Sequence, residues 1–403
     1  MILMTKINIP PNTPLELIRK LFNLLSEAGE SRLVGGCVRD IICGKMSDDI
    51  DIATTALPEQ VLKIFSKHNI KAIPTGIKHG TITGIFDKHI LEITTLRKDV
   101  ECFGRHATVE FTDSWEEDAS RRDFTINAMS MDLEGNIYDY FGGIEDLKNN
   151  LVRFVGTAEK RIQEDYLRIL RFFRFYSYFG GNNIDKESLA AVFKYAPQMA
   201  TLSGERIRQE MLKIINKQYA YNTIKLMVEN GVWEHLNCGS PNIEKLYSYK
   251  FCSEALINLA AIIRSTSDPI LNCKNIRLRW RLSNKEMTTL EMLCSKDYEL
   301  NSTDDINSKK ALYFLGKQNF LMKLKLKFVE EPNEDLSKLF ELAENFIIPA
   351  FPLNGRDVRR IGFEGKEIRE VILNTTNAWI NSNFSLKKEE LLELVKTYYI
   401  SRA

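Results

Sequence analysis

The pattern of hydrophobic residues changes once along this chain, near residue 150. Before that point, short strand-like runs such as residues 81–86 alternate with amphipathic helical stretches such as residues 15–28. After Asn150 the hydrophobic residues recur at helical spacing, as in residues 158–179 and 186–195. Mixed strands and helices followed by helices alone are typical of an α+β domain joined to an all-α region. We therefore predict an α+β fold, with a mixed-sheet head followed by an all-α remainder.

Length and composition narrow the class of protein. A chain of 403 residues exceeds one ordinary core, so roughly two to four domains are expected. Lys and Arg number 55 against 54 Asp and Glu, so the net charge of +1 does not by itself predict a nucleic-acid partner. The seven scattered cysteines include no CxxC pair, which favours a reducing compartment over a zinc site or a disulfide framework. Without a signal-peptide pattern or a long apolar run, we expect a cytoplasmic protein with no membrane partner.

Two aspartates separated by one residue form the most informative motif of the head. Asp49 and Asp51 flank Ile50 in the segment SDDIDIA. On a strand, residues i and i+2 share one face about 7 Å apart, which places both carboxylates to hold one or two Mg²⁺ ions. Two-metal sites activate an attacking hydroxyl and stabilise a leaving phosphate oxygen. The alternative is an acidic strand edge that faces water.

A glycine pair upstream favours the metal site. Gly35 and Gly36 follow a strand-like run and precede a short helical segment that contains Arg39. Glycines let the backbone approach a phosphate closely, and the free N–H groups at a helix start favour an anion. Arg39 is placed to donate to the same phosphates. Glu92 lies on a later strand with alternating hydrophobic residues. It is either a third carboxylate near the metals or an exposed strand residue.

Arginines recur at every third position of a helical pattern further along. Arg168, Arg171 and Arg174 follow Asp165, which lies one helical turn before Arg168. A carboxylate accepts hydrogen bonds and a guanidinium donates them, so an Asp165–Arg168 pair matches the amino donor and ring-nitrogen acceptor of cytosine and adenine. Uracil and guanine present the reverse order and would leave buried polar groups unpaired. The alternative is an ordinary ion pair on a solvated helix face.

Six motifs occur in a fixed order in the first half of the chain. They are VGGCVRD (34–40), DDIDIAT (48–54), RRDFTINAM (121–129), DYFGGIEDL (139–147), EDYLR (164–168) and ERIRQE (205–210). Together they resemble the sequential motifs of the class II tRNA nucleotidyltransferases, the family of the CCA-adding enzymes and the bacterial poly(A) polymerases. A weaker C-terminal motif of the same family is similar to residues 354–357.

The resemblance implies a seahorse-like fold in four parts. These are a nucleotidyltransferase head (1–150), a neck that reads the base (151–220), a helical body (221–330) and a helical tail that binds tRNA (331–403). It also implies that Asp49 and Asp51 ligate Mg²⁺ and that Gly36 and Arg39 contact the triphosphate.

Further site residues follow from the same resemblance. Arg122, Asp123 and Asn127 are expected to bind nucleotide, although capping and buried networks are the alternative roles for them. Asp165 and Arg168 are expected to read the base, with Arg171 and Arg174 near the nucleotide. The motif at 205–210, with Glu205, Arg206 and Glu210, is expected to brace the neck, and the motif at 139–147 to form a hinge between head and neck.

Within the family, the sequence favours addition of C, C and A to the 3′ end of tRNA from CTP and ATP. Residues 97–106 resemble the flexible loop of enzymes that add the final A. A poly(A) polymerase and an A-adding tRNA enzyme are the alternatives within the family, and a non-catalytic RNA-binding protein is the alternative outside it. His235 is the only histidine after His106, so we expect no metal phosphohydrolase centre.

Two basic clusters are candidates for contacts with RNA phosphates, although a charged helix face is the commoner explanation of such clusters. They are Arg277, Arg279 and Arg281 with Trp280, and Arg356, Arg359 and Arg360. No protein partner is implied.

Overall fold

The computed structural model of the chain describes residues 3–10, 13–45, 50–86, 89–103, 106–179, 183–301 and 305–400. These residues form two compact units, Met1–Asn237 and Cys238–Ala403. The four-part division expected from the resemblance stays a prediction.

Strands occur in the first unit, in two sheets. In chain order they are β1 (Leu3–Lys6), β2 (Ser31–Val34), β3 (Asp51–Thr54), β4 (Lys71–Gly76), β5 (Thr81–Phe86), β6 (His89–Thr95), β7 (Arg97–Phe103), β8 (His106–Phe111), β9 (Met129–Met131) and β10 (Asn136–Asp139). Strands β7 and β8 pair with each other, and the others form one sheet in the order β1-β10-β9-β2-β3-β6-β5-β4. Within that sheet β3 and β6 run parallel and the other pairs are antiparallel. The sheet is therefore mixed, as the sequence predicted.

Helices pack around this sheet and continue beyond it. In the first unit they are α1 (Leu15–Leu25), α2 (Gly36–Ile42), α3 (Pro58–Lys67), α4 (Trp115–Ser120), α5 (Gly143–Lys148), α6 (Ala158–Glu164), α7 (Leu167–Phe179), α8 (Lys186–Tyr195), α9 (Gly204–Ile214) and α10 (Ala220–Glu229). The second unit contains α11 (Ile243–Tyr247), α12 (Ala255–Arg264), α13 (Pro269–Trp280), α14 (Asn284–Cys294), α15 (Asp305–Glu330), α16 (Ser337–Asn345), α17 (Gly355–Arg359), α18 (Lys366–Asn381) and α19 (Lys388–Ile400). Among the described residues after Asp139, none belongs to a strand. The predicted α+β fold class is confirmed.

The continuous helix predicted over residues 158–179 is wrong at one point. Asp165 has extended backbone angles, φ −158° and ψ 109°, and separates α6 from α7. Its side chain accepts from the N–H of Leu167 at 3.1 Å, and its carbonyl accepts from the N–H of Arg168 at 3.0 Å. Aspartate favours such helix starts because its carboxylate satisfies a backbone N–H that has no partner within the helix. Asp165 therefore caps the start of α7 instead of lying within a longer helix.

An aromatic cluster fixes α7 against the segment 123–127. Phe124, Phe154 and Phe172 are almost completely buried. The Phe124 and Phe154 rings lie 4.7 Å apart between centroids, and Phe175 of α7 lies 5.2 Å from Phe124. Complete burial of a phenylalanine side chain contributes about 2–3 kcal/mol, so this contact is a strong tertiary anchor for the site described below.

The motif that resembles a hinge has a clear structural role in this chain. The buried carboxylate of Asp139 accepts backbone N–H bonds from Phe141, Gly142, Gly143 and Ile144 at 2.9–3.1 Å. The bonds fix the turn that joins β10 to α5.

No helix in the described part of the chain is both long enough and apolar enough to cross a membrane.

Candidate active site

A cavity of about 950 Å³ in the first unit gathers most of the predicted site residues. Its volume lies in the range of small-molecule sites. Its described lining includes nine arginines and lysines and four aspartates: Arg39, Arg121, Arg122, Arg168, Arg171, Arg174, Arg206, Lys213 and Lys217, with Asp40, Asp51, Asp123 and Asp165. The excess of five positive charges contrasts with the net charge of +1 for the whole chain. Such a concentration of charge attracts an anionic ligand.

The predicted glycine turn lies in this lining. Gly35 precedes α2 with φ 74° and ψ −130°, a backbone conformation that residues with a Cβ rarely adopt. A Cβ at Gly35 would lie 2.9 Å from Nη1 of Arg122, and one at Gly36 would lie 3.6 Å from Nη2 of Arg39. Both glycines therefore keep the start of α2 open beside two guanidinium groups.

A chain of hydrogen bonds connects α2 to α7. Arg39 donates from Nη1 to Oδ1 of Asn127 at 2.7 Å, and Asn127 donates from Nδ2 to Oδ1 of Asp123 at 3.2 Å. Asp123 in turn accepts from Nε of Arg171 at 2.6 Å. Four residues that the sequence assigned to the nucleotide are thus held in one network.

Asp123 is a buried part of this network. Burial by itself raises the pKa of its carboxyl, but the charge of Arg171 and the hydrogen bonds from Asn127 and Arg171 outweigh that effect and lower the pKa below its ordinary value. The neighbouring Arg122 is held by the buried Asp118, with Nη2 3.0 Å from Oδ2. The charged form of Asp123 is therefore stabilised by protein groups, as expected for a buried network.

The proposed base-reading residues are partnered differently from the sequence prediction. Asp165 forms its ion pair with Arg206 of α9, at 3.1 and 2.6 Å, instead of with Arg168. Arg168 donates through Nη1 to Oε2 of Glu164 at 2.5 Å. All three of Asp165, Arg168 and Arg206 line the cavity. From the resemblance, Arg206 was expected only to brace the neck. Sequence spacing gives no sign of its contact with Asp165, which lies 41 positions away.

Arg174 also forms an ion pair with α9. Its Nε lies 3.2 Å from Oε2 of Glu210, and both side chains are mostly buried. Burial, and next the charge of Arg171, lowers the pKa of Arg174. The arginines of α7 therefore line the cavity, while acidic groups of α6 and α9, Glu164 and Glu210, hold two of them in place.

Of the two predicted metal-binding aspartates, Asp49 lies outside the described residues. Asp51 begins β3 and lines the cavity. Its Cα pairs directly with that of Glu92 on the parallel strand β6, and paired residues of neighbouring strands point to the same face. Glu92 is exposed and is absent from the described lining of the cavity. Among the described residues no group of three acidic, histidine or cysteine side chains is arranged to hold a metal.

The remaining predicted elements are not among the described residues that line the cavity. The segment that resembles a flexible loop forms the antiparallel pair β7–β8, with residues 104–105 outside the described ranges. Trp280 is fully buried, so it is not available to stack on RNA, whereas Arg277 and Arg281 are exposed. Arg356, Arg359 and Arg360 are also exposed.

Two family descriptions match parts of the chain. Residues 31–153 match the Poly A polymerase head domain. Residues 181–246 match the family described as a probable RNA and SrmB-binding site of polymerase A. The first match contains Gly35, Asp51 and Asp123, and thus the part of the cavity formed by the head.

Curated relatives match over nearly the whole chain. The mitochondrial CCA tRNA nucleotidyltransferase 1 of Danio rerio is 37% identical over 381 residues, which cover 90% of this chain and 86% of the relative. The CCA-adding enzyme of Bacillus cytotoxicus is 31% identical over 382 residues, or 93% of each chain. The crystal structure of the Bacillus stearothermophilus CCA-adding enzyme in complex with CTP superposes with a TM-score of 0.82 at 27% identity. That match covers 96% of this chain and 98% of the other.

Proposed function

This chain belongs to the family of the CCA-adding tRNA nucleotidyltransferases, and on that premise we propose how its cavity serves the reaction. The enzyme adds C, C and A to the 3′ end of tRNA, with CTP and ATP as substrates. The observation that carries the proposal is the cationic cavity, in which the glycine turn, Asp51 and the arginines of α7 lie together. Each of these groups suits one part of a nucleoside triphosphate.

The triphosphate binds at the glycine turn. The start of α2 offers backbone N–H groups to an anion, and Gly35 and Gly36 leave room for it beside Arg39 and Arg122. Both guanidinium groups are oriented by protein partners, Asn127 and Asp118. They therefore neutralise phosphate charge without first reorganising, which is the condition for effective electrostatic stabilisation.

The carboxylates of Asp49, Asp51 and Glu92 suit Mg²⁺, since this ion prefers oxygen ligands. The support from the fold is the location of Asp51 in the cavity and its direct pairing with Glu92. When bound, Mg²⁺ would lower the pKa of the attacking 3′ hydroxyl and stabilise negative charge on the leaving phosphate oxygen. The chain contributes the face of β3 and β6 on which Asp51 and Glu92 lie.

The base is read by Asp165 and Arg168. Asp165 accepts a hydrogen bond from the exocyclic amino group of cytosine or adenine, and Arg168 donates to the adjacent ring nitrogen. Arg168 uses Nη1 for Glu164 and for the carbonyl of Arg161, which leaves Nε and Nη2 to donate to a base. Arg206 acts as a positioning residue, because it holds Asp165 and thereby fixes the direction of the free carboxylate lone pair.

The proposal is tested with purified protein and tRNA that lacks its terminal CCA. With CTP and ATP, sequencing of the product ends should show C, C and A in that order. Addition of A alone to tRNA that already ends in CC would identify an A-adding enzyme, and long A tails on unrelated RNA would identify a poly(A) polymerase.

Variants test the assigned roles in the same assay. Asp49→Ala/Asp51→Ala is expected to abolish incorporation of CTP into tRNA, and unchanged incorporation would contradict the metal site. Asp165→Ala is expected to retain some transfer but to lose the preference for CTP and ATP, and retained selectivity would contradict its role in reading the base. Lys160→Gln, an exposed substitution in α6, is the control.

For the compartment, we propose the cytoplasm. Its support is the set of free cysteines, of which Cys37, Cys238, Cys273 and Cys294 are buried. Unpaired thiols suit a reducing environment. Because relatives such as that of Danio rerio are named as mitochondrial, cell fractionation with an antibody to the chain is the appropriate test.

A further inference from the structure

Two buried cysteines of the second unit lie side by side. Cys273 belongs to α13 and Cys294 is the last residue of α14, and each is only 2% exposed. Their side chains are hydrogen-bonded to each other, so the two sulfur atoms are in contact. Both thiols are free. Neither cysteine is among the described residues that line the cavity of the first unit.

The packing of three helices brings the two thiols together. Helices α13 and α14 are joined by residues 281–283 and pack against each other. A connection this short makes neighbours of residues at similar distances from it along the two helices. Both helices also pack on α12, whose residues 257–263 are all buried. The pair is therefore held by regular structure, although its members are far apart in sequence.

The hydrogen bond between the thiols gives Cys294 the role of donor. The bond to Cys273, and next burial, raise the pKa of the Cys294 thiol above its ordinary value. Cys294 therefore stays protonated, and its S–H can donate to the sulfur of Cys273. The thiolate is the reactive form of a cysteine, so this donor favours Cys273 as the sulfur that reacts first.

The charges around the pair nearly cancel. Arg264 lies close to Cys294 and forms ion pairs with Glu330 at 2.8 Å and with Glu299 at 3.3 Å. Lys323 also lies close to Cys294, and its Nζ donates to two backbone carbonyls at 2.7 and 2.8 Å. Two positive and two negative side chains leave little net field at the sulfurs. A thiolate at Cys273 therefore depends on the S–H of Cys294 for its stabilisation.

We propose that Cys273 and Cys294 form a redox modification site, which hydrogen peroxide converts into an intrachain disulfide. The thiolate of Cys273 attacks one peroxide oxygen and becomes a sulfenic acid, while the other oxygen leaves as hydroxide and takes up a proton to form water. The sulfur of Cys294 then displaces the hydroxyl group, which leaves with the Cys294 proton as a second water. The two thiols lose two electrons and the peroxide gains them.

The burial of the pair selects a small oxidant. Thiol oxidation depends on access to the sulfur, and hydrogen peroxide is little larger than a water molecule. To form the bond, the sulfurs must approach to about 2 Å, so the two side chains rotate toward each other. The product cross-links α13 to α14. In the reducing environment proposed for the chain the thiols are free, and the disulfide forms when the peroxide is present.

The test uses the whole chain, with hydrogen peroxide as the oxidant. After the peroxide is removed with catalase, free thiols are alkylated in denaturant and the chain is digested. Peptide mass spectrometry is expected to show one cross-linked pair of peptides, which contain Cys273 and Cys294. Dithiothreitol should restore both thiols, because a disulfide is reversible and a sulfinic acid is not. The control is Cys43→Ser, which removes an exposed thiol and should form the same cross-link.

Single substitutions separate the two sulfurs. Cys294→Ser keeps a hydrogen-bond donor but cannot form the disulfide, so Cys273 should stop at the sulfenic acid, which dimedone labels after unfolding. In Cys273→Ser, Cys294 should remain a free thiol. Thermal unfolding shows whether each variant is folded. If either variant does not fold, the peptide map of the wild-type chain decides by itself.

Free thiols at both positions, after a treatment in which the exposed Cys43 has reacted, would overturn the proposal. A sulfinic acid at Cys273 without a cross-link would also overturn it, as would a disulfide between Cys273 and another cysteine. The site does not depend on the proposed function. Incorporation of CTP into tRNA by the reduced protein is measured separately, so the failure of one is distinguishable from the failure of the other.

Discussion

Arg206 holds Asp165 with both terminal nitrogens, Nη1 to Oδ1 at 3.1 Å and Nη2 to Oδ2 at 2.6 Å. The backbone N–H of Leu167 donates a third hydrogen bond to Oδ1. A carboxylate has about four acceptor positions, so roughly one remains for the amino group of a base. The pair links the start of α7 to α9, and it fixes the orientation of the carboxylate before any nucleotide binds.

Replacing Arg206 with Ala should therefore reduce base selectivity more than it reduces transfer itself. Without the guanidinium, Asp165 is free to rotate, and we expect the preference for CTP over UTP to fall by about tenfold or more. The measurement is kcat/KM for each nucleotide with tRNA that lacks CCA. Gln209→Ala, an exposed change on the same helix, is the control. Equal loss of kcat/KM for CTP and UTP would assign Arg206 a purely structural role.

Glu92 should contribute to metal binding through its direct pairing with Asp51. In Glu92→Gln, we expect the Mg²⁺ concentration for half-maximal activity to rise by about tenfold, the usual scale when a supporting carboxylate is lost. Calorimetric titration with Mn²⁺ gives a second measurement that does not depend on activity. His89→Gln, at the start of the same strand, is the control. Unaltered metal dependence would leave Glu92 as an exposed strand residue.

Gly35→Ala should disturb both the backbone and a neighbouring guanidinium. The φ of 74° with ψ of −130° is unfavourable for alanine by about 1–3 kcal/mol. The new Cβ would also lie 2.9 Å from Nη1 of Arg122. We expect a lower Tm and a KM for CTP that is higher by about tenfold, the effect of displacing one charged phosphate contact.

Gly44→Ala separates these two effects. Gly44 also has a positive φ, 70°, but no atom of the described residues lies within 4 Å of the position its Cβ would take. The variant should therefore lose stability while it keeps the wild-type KM for CTP. If both variants raise KM equally, displacement of Arg122 is not the cause.

Much of the fold follows from local sequence patterns. Strand β5 (81–86) and helix α8 (186–195) have the bounds that the sequence predicted, because periodicity and caps are local properties. The break at Asp165 was missed, although aspartate is a good helix cap, since the hydrophobic period continues from α6 into α7. At Asp165, helix capping determined the local structure although the helical spacing of hydrophobic residues continues across it.

The site was predictable as a set of residues but not as a set of contacts. The glycine turn, Asp51 and the arginines of α7 line one cavity, while the roles assigned to them stay predictions. The Asp165–Arg206 pair and the contact between Lys45 and Tyr178 join residues far apart in sequence. Such pairs depend on how α2, α7 and α9 pack, which residue spacing within one motif does not specify.

Stability should decrease in acid because Asp123 must then be protonated. Its pKa is lower in the folded protein than in the unfolded chain, since Arg171 and Asn127 stabilise the carboxylate more than burial destabilises it. A group with a depressed folded pKa contributes stability that is present above its unfolded pKa, about 4 for aspartate. That contribution is lost as the pH falls through the folded value.

Asp123→Asn should be destabilised at pH 7 by about 3 kcal/mol, because Arg171 is left without its buried partner. The difference from wild type should shrink as the pH falls below about 4, where the wild-type carboxylate is progressively neutralised. Urea unfolding followed by tryptophan fluorescence between pH 3 and pH 7 measures both curves, and the exposed Asp113→Asn is expected to follow the wild type. A difference that is constant with pH would mean that Asp123 stabilises the fold through its shape and hydrogen bonds and not through its charge.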